Sequence, residues 1–295
     1  MISAGSTGAT CQRKTRSSEE TSPSGYSGRM PQTTIGSYAD LRGQAALVTG
    51  ASSGIGQGIA EALLSQGVRV VLHYRGNEDA AEALRARFPT LATTVKADLG
   101  AEQGCGLLAR AALAAFPDLS LLVHSAGIWN DGPIASITAH TLEEMFRVNT
   151  FSAFYLVRDL LPALRQGGAA RPGRIVFIGS TAGQRGEAFH GHYAASKGAL
   201  QALAQSLTVE LGPEVRVNTV SPGWVRTPMA GAALERMGAD LLPTLPNRRI
   251  AEVDDVVAAT LFLASSASGH LLGQDLGVSG GALAVLPRGQ LRKVE

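Results

Sequence analysis

Residues 45–77 are "AALVTGASSGIGQGIAEALLSQGVRVVLHYRGN". A short apolar run leads into a glycine-rich turn, a helical pattern follows, and a second apolar run begins after Gly67. Strand, turn, helix and strand in that order form a βαβ unit, whose crossover is right-handed and whose strands are parallel. Gly50, Gly54 and Gly56 have a G-x-x-x-G-x-G spacing. Glycine there allows a tight turn and close approach of a pyrophosphate to the backbone, and the next helix offers unpaired N–H groups and its positive dipole end. Ser52 and Ser53 add hydroxyl donors. In a chain with 35 glycines the spacing alone is a weak signal. Its place between a strand and a helix is what points to a dinucleotide.

The alternation continues. Apolar runs at 93–99, 120–127, 173–180, 215–223 and 274–279 are separated by helical patterns near 78–88, 100–116, 139–165, 190–211 and 253–265. Strands apolar on both faces belong to a parallel sheet covered on both sides. The expected fold is therefore α/β, a doubly wound parallel sheet in one domain over residues 41–295, with ligands at the carboxyl ends of the strands. Residues 1–40 are rich in Ser, Thr and Gly and poor in large aliphatics. They bury too little apolar surface to offset their ordering entropy, which predicts a disordered N-terminal tail.

The 295 residues, 45% hydrophobic and 17% charged, suit one large globular domain. A net charge of +2 gives no basic field for nucleic acid. No apolar run reaches the roughly 18 residues of a membrane span. Cys11 and Cys105 match neither a disulfide framework nor a metal site, so a cytoplasmic, reducing compartment and no metal ion are expected.

The second strand ends in His73, Tyr74 and Arg75. NAD-binding sheets commonly place a carboxylate there, on the ribose 2′-hydroxyl. An arginine's planar fork suits a 2′-phosphate instead. NADP(H) is expected over NAD(H), with NAD(H) still possible.

A second constellation lies in "GHYAASKGALQAL" (191–203), where Tyr193 and Lys197 stand four positions apart. On a helix that is about 6 Å of rise and about 40° of rotation, so both share a face. An ammonium beside a phenol favours phenolate and draws the pKa down from about 10. The plainer alternative is packing, with the tyrosine hydroxyl satisfied and the lysine snorkelling to water.

Taken in order, these motifs resemble the short-chain dehydrogenases/reductases, in their shorter single-domain branch that includes 3-oxoacyl-[acyl-carrier-protein] reductases. The resemblance runs from about Ala45 to Gly281. "TGASSGIG", with Ile55 inside it, is similar to the family's glycine motif, and "ADL" puts Asp98 and Leu99 at the adenine ring. "HSAG" carries Ser125, Ala126 and Gly127 to the cofactor, and "SPGWVRT" puts Pro222, Gly223, Val225 and Thr227 at the nicotinamide. "RVNTF", "IGS" and "YAASK" place Asn149, Ser180, Tyr193 and Lys197 at the family's catalytic positions. The resemblance implies a Rossmann-type oxidoreductase that transfers hydride between NADP(H) and a carbonyl or secondary alcohol. It implies Tyr193 as general acid in reduction and base in oxidation. Lys197 tunes the phenol and holds the ribose, Ser180 donates to the substrate oxygen, and Asn149 holds a water that links Lys197 to solvent. It also implies a homotetramer or homodimer built on the two long helices.

The implied substrates are a 3-oxoacyl thioester or, as an alternative, a sugar, polyol or small ketone. About 70 residues after "SPG" are too few for the substrate domain of a sugar-nucleotide epimerase. Divergent enoyl reductases space their tyrosine and lysine further apart. A non-catalytic NADP-binding regulator would show erosion of the catalytic set, and all four positions are filled. Two departures stand out: "HSAG" replaces the family's Asn-Asn-Ala-Gly, putting its bracing of the sheet in doubt, and "VSGG" (278–281) replaces Val-Asp-Gly-Gly. "IWNDGP" and "QRGEAFHGH" are expected to line the substrate pocket, with Trp129 and Trp224 either as its wall or at an interface. Arg185 and His192 are candidates to meet a polar or anionic substrate group, with His192 the first to test on the tyrosine helix; the plainer and preferred reading is a solvated arginine and a histidine facing water.

Overall fold

The apolar runs form seven strands: β1 (Ala45–Val48), β2 (Arg69–Tyr74), β3 (Ala92–Lys96), β4 (Leu121–His124), β5 (Gly173–Ile178), β6 (Val215–Pro222) and β7 (Asp275–Val278). The computed structural model describes residues 33–284. The sheet order is β3-β2-β1-β4-β5-β6-β7, and every neighbouring pair is parallel. The chain winds outward from β1 to β3, returns beside β1 as β4, and winds outward the other way. This is the doubly wound sheet expected from the sequence.

The helices are α1 (Gly54–Ser65), α2 (Glu78–Arg87), α3 (Glu102–Ala115), α4 (Ala139–Phe146), α5 (Ser152–Leu164), α6 (Thr181–Arg185), α7 (Gly191–Leu211), α8 (Gly231–Leu241) and α9 (Val253–Ala264). Successive strand residues point to opposite faces of the sheet, and each face has its own core. Ala46 and Val48 pack with Ile59 of α1 and Val257 of α9, while Leu47 packs on the other side with Leu108, Leu156 and Leu200 of α3, α5 and α7. Gly56 lets α1 start close to the first strand, since a Cβ there would lie 2.3 Å from the Gly50 carbonyl oxygen.

Two features differ from the sequence expectation. The helix expected across 139–165 is interrupted by a π-helical turn, Arg147–Phe151, between α4 and α5. The tail boundary also moves. Residues 33–40 lie against the domain: Thr33 donates to Asp255, the Tyr38 N–H donates to Gln66 Oε1 at 2.8 Å, and Gln66 Nε2 donates to the Gly36 carbonyl at 2.9 Å. These polar contacts, with Ile35 and Tyr38 packed against the core, hold the segment, and a count of aliphatics misses them. Residues 1–32 of the expected tail lie outside the described residues. Among the described residues no helix is long and apolar enough to cross a membrane.

Phe177 is fully buried in the core beneath α5 and α7. Phe177→Ala is expected to lower unfolding free energy by about 3–5 kcal/mol, measured as a lower urea midpoint at unchanged m-value.

Candidate active site

The floor of the site lies where β1 and β4 separate. The buried Thr49 hydroxyl accepts from the N–H groups of Ser125 (3.0 Å) and Ala126 (2.9 Å). This bond braces the sheet at the point that "HSAG" left in doubt. Beside it, His73 receives the Gly50 N–H on Nδ1 (3.0 Å), and its Nε2–H donates to the Ala97 carbonyl (3.1 Å). The ring thus ties the glycine turn to the end of β3. Burial holds it neutral, with its pKa pushed down to about 4 despite the Ala97 bond and nearby Asp98.

Above this floor is a cavity of about 390 Å³. All the residues expected at the cofactor line it: Gly50, Ser52, Ser53, Gly54, Ile55 and Gly56 of the glycine turn, Arg75, Asp98 and Leu99 at the ends of β2 and β3, Ser125–Ala126–Gly127, and Pro222, Gly223, Val225 and Thr227 after β6. The residues fit a dinucleotide. Ser53 at the N-cap makes no side-chain bond to the first turn of α1, which leaves that turn's N–H groups for an anion. A Cβ on Gly127 would approach Lys197 Nζ and Asn149 Oδ1 to 3.3 Å, a tight fit that would press on both side chains.

Tyr193, Lys197 and Ser180 line the same cavity. Lys197 is buried, donates to the Ile178 carbonyl at 2.8 Å and lies 5.9 Å from the Tyr193 ring centre. Burial lowers its pKa to about 8. Burial also pushes the Tyr193 phenol up to about 12, offset in part by its hydrogen bond with Ser180. The lowering expected from Lys197 is not seen: desolvation of the phenolate dominates, and the Glu187 carboxylate adds to the rise.

Asn149 lies in the π-helical turn and is fully buried. Its Oδ1 accepts from the Ile128 N–H (2.8 Å), and its Nδ2 donates to the Ile128 carbonyl and to Ser196 Oγ (both 3.0 Å). The amide expected to hold a water is largely committed to the loop after β4 and to α7.

At the open end, Trp129 and Trp224 both line the cavity, edge to face with ring centres 6.2 Å apart. They are a wall of the pocket. His192 does not line it. Its Nε2 bonds Asn130 Oδ1 at 2.7 Å, and the ring packs on Gly132, where a Cβ would come within 2.4 Å of it. His190, which the sequence did not single out, stacks on Trp129 at 4.8 Å and bonds Asp131 at 2.9 Å. Its signal was the pair of histidines flanking Gly191, both facing the same polar loop.

A doubly wound sheet with a dinucleotide-shaped crevice at its switch point, and a tyrosine and lysine on its wall, defines a nucleotide-dependent oxidoreductase. The chain belongs to the short-chain dehydrogenase/reductase family. The family model described as enoyl-(acyl carrier protein) reductase matches residues 50–282. The chain is 37% identical to bovine L-xylulose reductase over 83% of its length and 98% of that protein's. It is 30% identical to the 3-oxoacyl-[acyl-carrier-protein] reductase of Haemophilus influenzae over 82% of its length and 98% of that protein's. A Beutenbergia cavernae structure, described as an NAD(P)-dependent gluconate 5-dehydrogenase with NADP at low occupancy, superposes with a TM-score of 0.77 at 34% identity, covering 83% of this chain and 99% of that one.

His73 and His124 are both held neutral by burial, at about 4 and about 3. The unfolded chain binds their protons near pH 6.5. Their contribution to stability is therefore full above about pH 6.5 and falls as pH drops toward 4. Denaturation between pH 7 and pH 5 should show stability falling with acid, and His73→Asn with His124→Asn should flatten the slope.

Proposed function

We propose that the protein is an NADP(H)-dependent reductase of carbonyls to secondary alcohols, and the reverse dehydrogenase, with Tyr193 as its general acid and base. The observation that carries this is the meeting of Tyr193, Lys197 and Ser180 on the wall of a cavity that continues into the glycine turn. NADPH supplies the hydride. A phenol held at about 12 keeps its proton at neutral pH, which suits proton donation to a carbonyl oxygen as negative charge develops. Ser180 donates to the same oxygen. Lys197, anchored on the Ile178 carbonyl, supplies positive charge behind the phenol while it stays protonated, below about pH 8. Asn149 joins this set by fixing Ile128 and Ser196.

Arg75 lines the cavity at the end of β2, where it suits a 2′-phosphate and supports NADP(H) over NAD(H). For the substrate, a 3-oxoacyl thioester is one candidate, as in the Haemophilus relative. The sugar or polyol alternative is favoured by the wall of Trp129 and Trp224 with Glu187 beside it, since indole faces and a carboxylate suit C–H faces and hydroxyls. Phe154 of α5 and Val209 of α7 are exposed apolar side chains on the two long helices, which supports a homodimer or homotetramer built on them. Two cysteines in unlike sequence contexts, which match no disulfide framework, support a cytoplasmic enzyme.

Incubation with NADPH and an acetoacetyl thioester, L-xylulose, cyclohexanone and 2,3-butanedione should oxidise the cofactor with at least one of them. Tyr193→Phe should lower kcat by roughly 10²–10⁴-fold with NADPH binding retained; turnover near the wild-type rate would sink the mechanism.

Arg75→Ala should lower kcat/KM for NADPH by about 10–100-fold, the worth of a charge-assisted contact, and leave that for NADH unchanged. A wild-type preference for NADH would overturn the cofactor assignment.

A further inference from the structure

His124 has no role in the chemistry above, yet it stands at the end of β4 directly before the cavity residues Ser125–Ala126–Gly127 and is fully buried. Its Nε2 is 2.8 Å from Ser152 Oγ, and that hydroxyl lies 2.6 Å from the Val148 carbonyl. A serine has one hydroxyl proton, and the Val148 carbonyl can only accept it. The proton on this axis therefore comes from His124: Nε2–H donates to Ser152, and Ser152 donates to Val148. The other nitrogen, Nδ1, is buried with no partner among the described residues. An apolar side chain would avoid that unpaired group, so the bond to Ser152 is what the histidine supplies.

The bond falls at the irregular turn. Ser152 follows the π-helical segment, and its N–H bonds the Arg147 carbonyl, five residues back, where a regular helix would use Val148. The passed-over Val148 carbonyl takes the Ser152 hydroxyl. Single π-helical turns are rare and cluster at functional sites. This one carries Asn149 inward to hold both backbone groups of Ile128 and the hydroxyl of Ser196, which in turn donates to the Tyr193 carbonyl at 2.8 Å.

We propose that His124 and Ser152 are positioning residues that lock the π-helical turn and so hold Asn149 against the loop and helix that carry the catalytic tyrosine. This rests on the assignment of Tyr193 as the proton donor. A histidine stands where the resemblance leads one to expect asparagine, and the imidazole places its donor further from the backbone than an asparagine amide does.

The test uses the full chain with NADPH and the carbonyl of the panel that the wild type reduces fastest. Ser152→Ala and His124→Leu should each lower kcat by about 10–100-fold, the scale of a small misplacement at a reacting centre, with KM for NADPH within about twofold of wild type. His124→Gln, whose amide nitrogen reaches about as far as Nε2, should restore most of the loss, which a merely space-filling role would not. In an Asn149→Ala background, Ser152→Ala should cause no further loss. Unchanged kcat in Ser152→Ala, or an undiminished loss in the Asn149→Ala background, would overturn the lock. Should the wild type reduce no carbonyl of the panel, it is the proposed activity that fails. Amide hydrogen exchange then tests the lock alone: Ser152→Ala should speed exchange at residues 147–152 at least tenfold and leave 45–48 unchanged, and equal protection at 147–152 would overturn it.

Discussion

Everything on the ligand side of this molecule rests on one hydroxyl. Thr49 stands where β1 and β4 part, and its oxygen takes the N–H groups of Ser125 and Ala126. Parallel strands held by a backbone ladder need no help along their length, but the ladder ends where the chains diverge to opposite faces of the sheet. Without an acceptor there, the N–H groups of two half-buried residues would lose their partner in the sheet and the crevice would have no fixed floor. With it, the glycine turn after β1 and the backbone after β4 stay at a set separation, and the cavity opens between them.

Desolvation governs the electrostatics of that cavity. Opposed charges are few, and the ionisable groups nearest the sheet are shifted by burial first: the His73 and His124 rings downward, Lys197 downward, Tyr193 upward. Each shift favours the neutral form. The centre is thus a hydrogen-bonded pocket with a protonated phenol beside a lysine that keeps its charge below about pH 8, a state suited to giving up a proton.

Much of this was legible in the chain. Strands buried on both faces write themselves as continuous apolar runs, which marks β1, β2, β4, β5 and β6; the edge strands β3 and β7 are only partly buried and were legible from their alternation with helices. Tyr193, Lys197 and Ser180 were legible because each follows a strand end or shares a helix face. What escaped the sequence depends on through-space partners. A helical pattern over 139–165 does not betray a π-helical turn, because the extra residue shifts the apolar stripe by only part of a turn. The burial that sets the Tyr193 phenol has no local signature. His190 and His192 differ by two positions, which on a helix start sends them in different directions, and only the fold shows that His190 meets the tryptophan wall.

The contact between Gly132 and His192 has a consequence for how such a pocket can change over time. A side chain at position 132 finds the imidazole in its way, and a smaller residue at 192 leaves the Asn130 carbonyl without its donor. Neither position can drift alone without harm, so the two form a single unit of variation. A lineage altering the mouth of this pocket would pass most easily through a paired exchange, and the route through either single change is the narrower one.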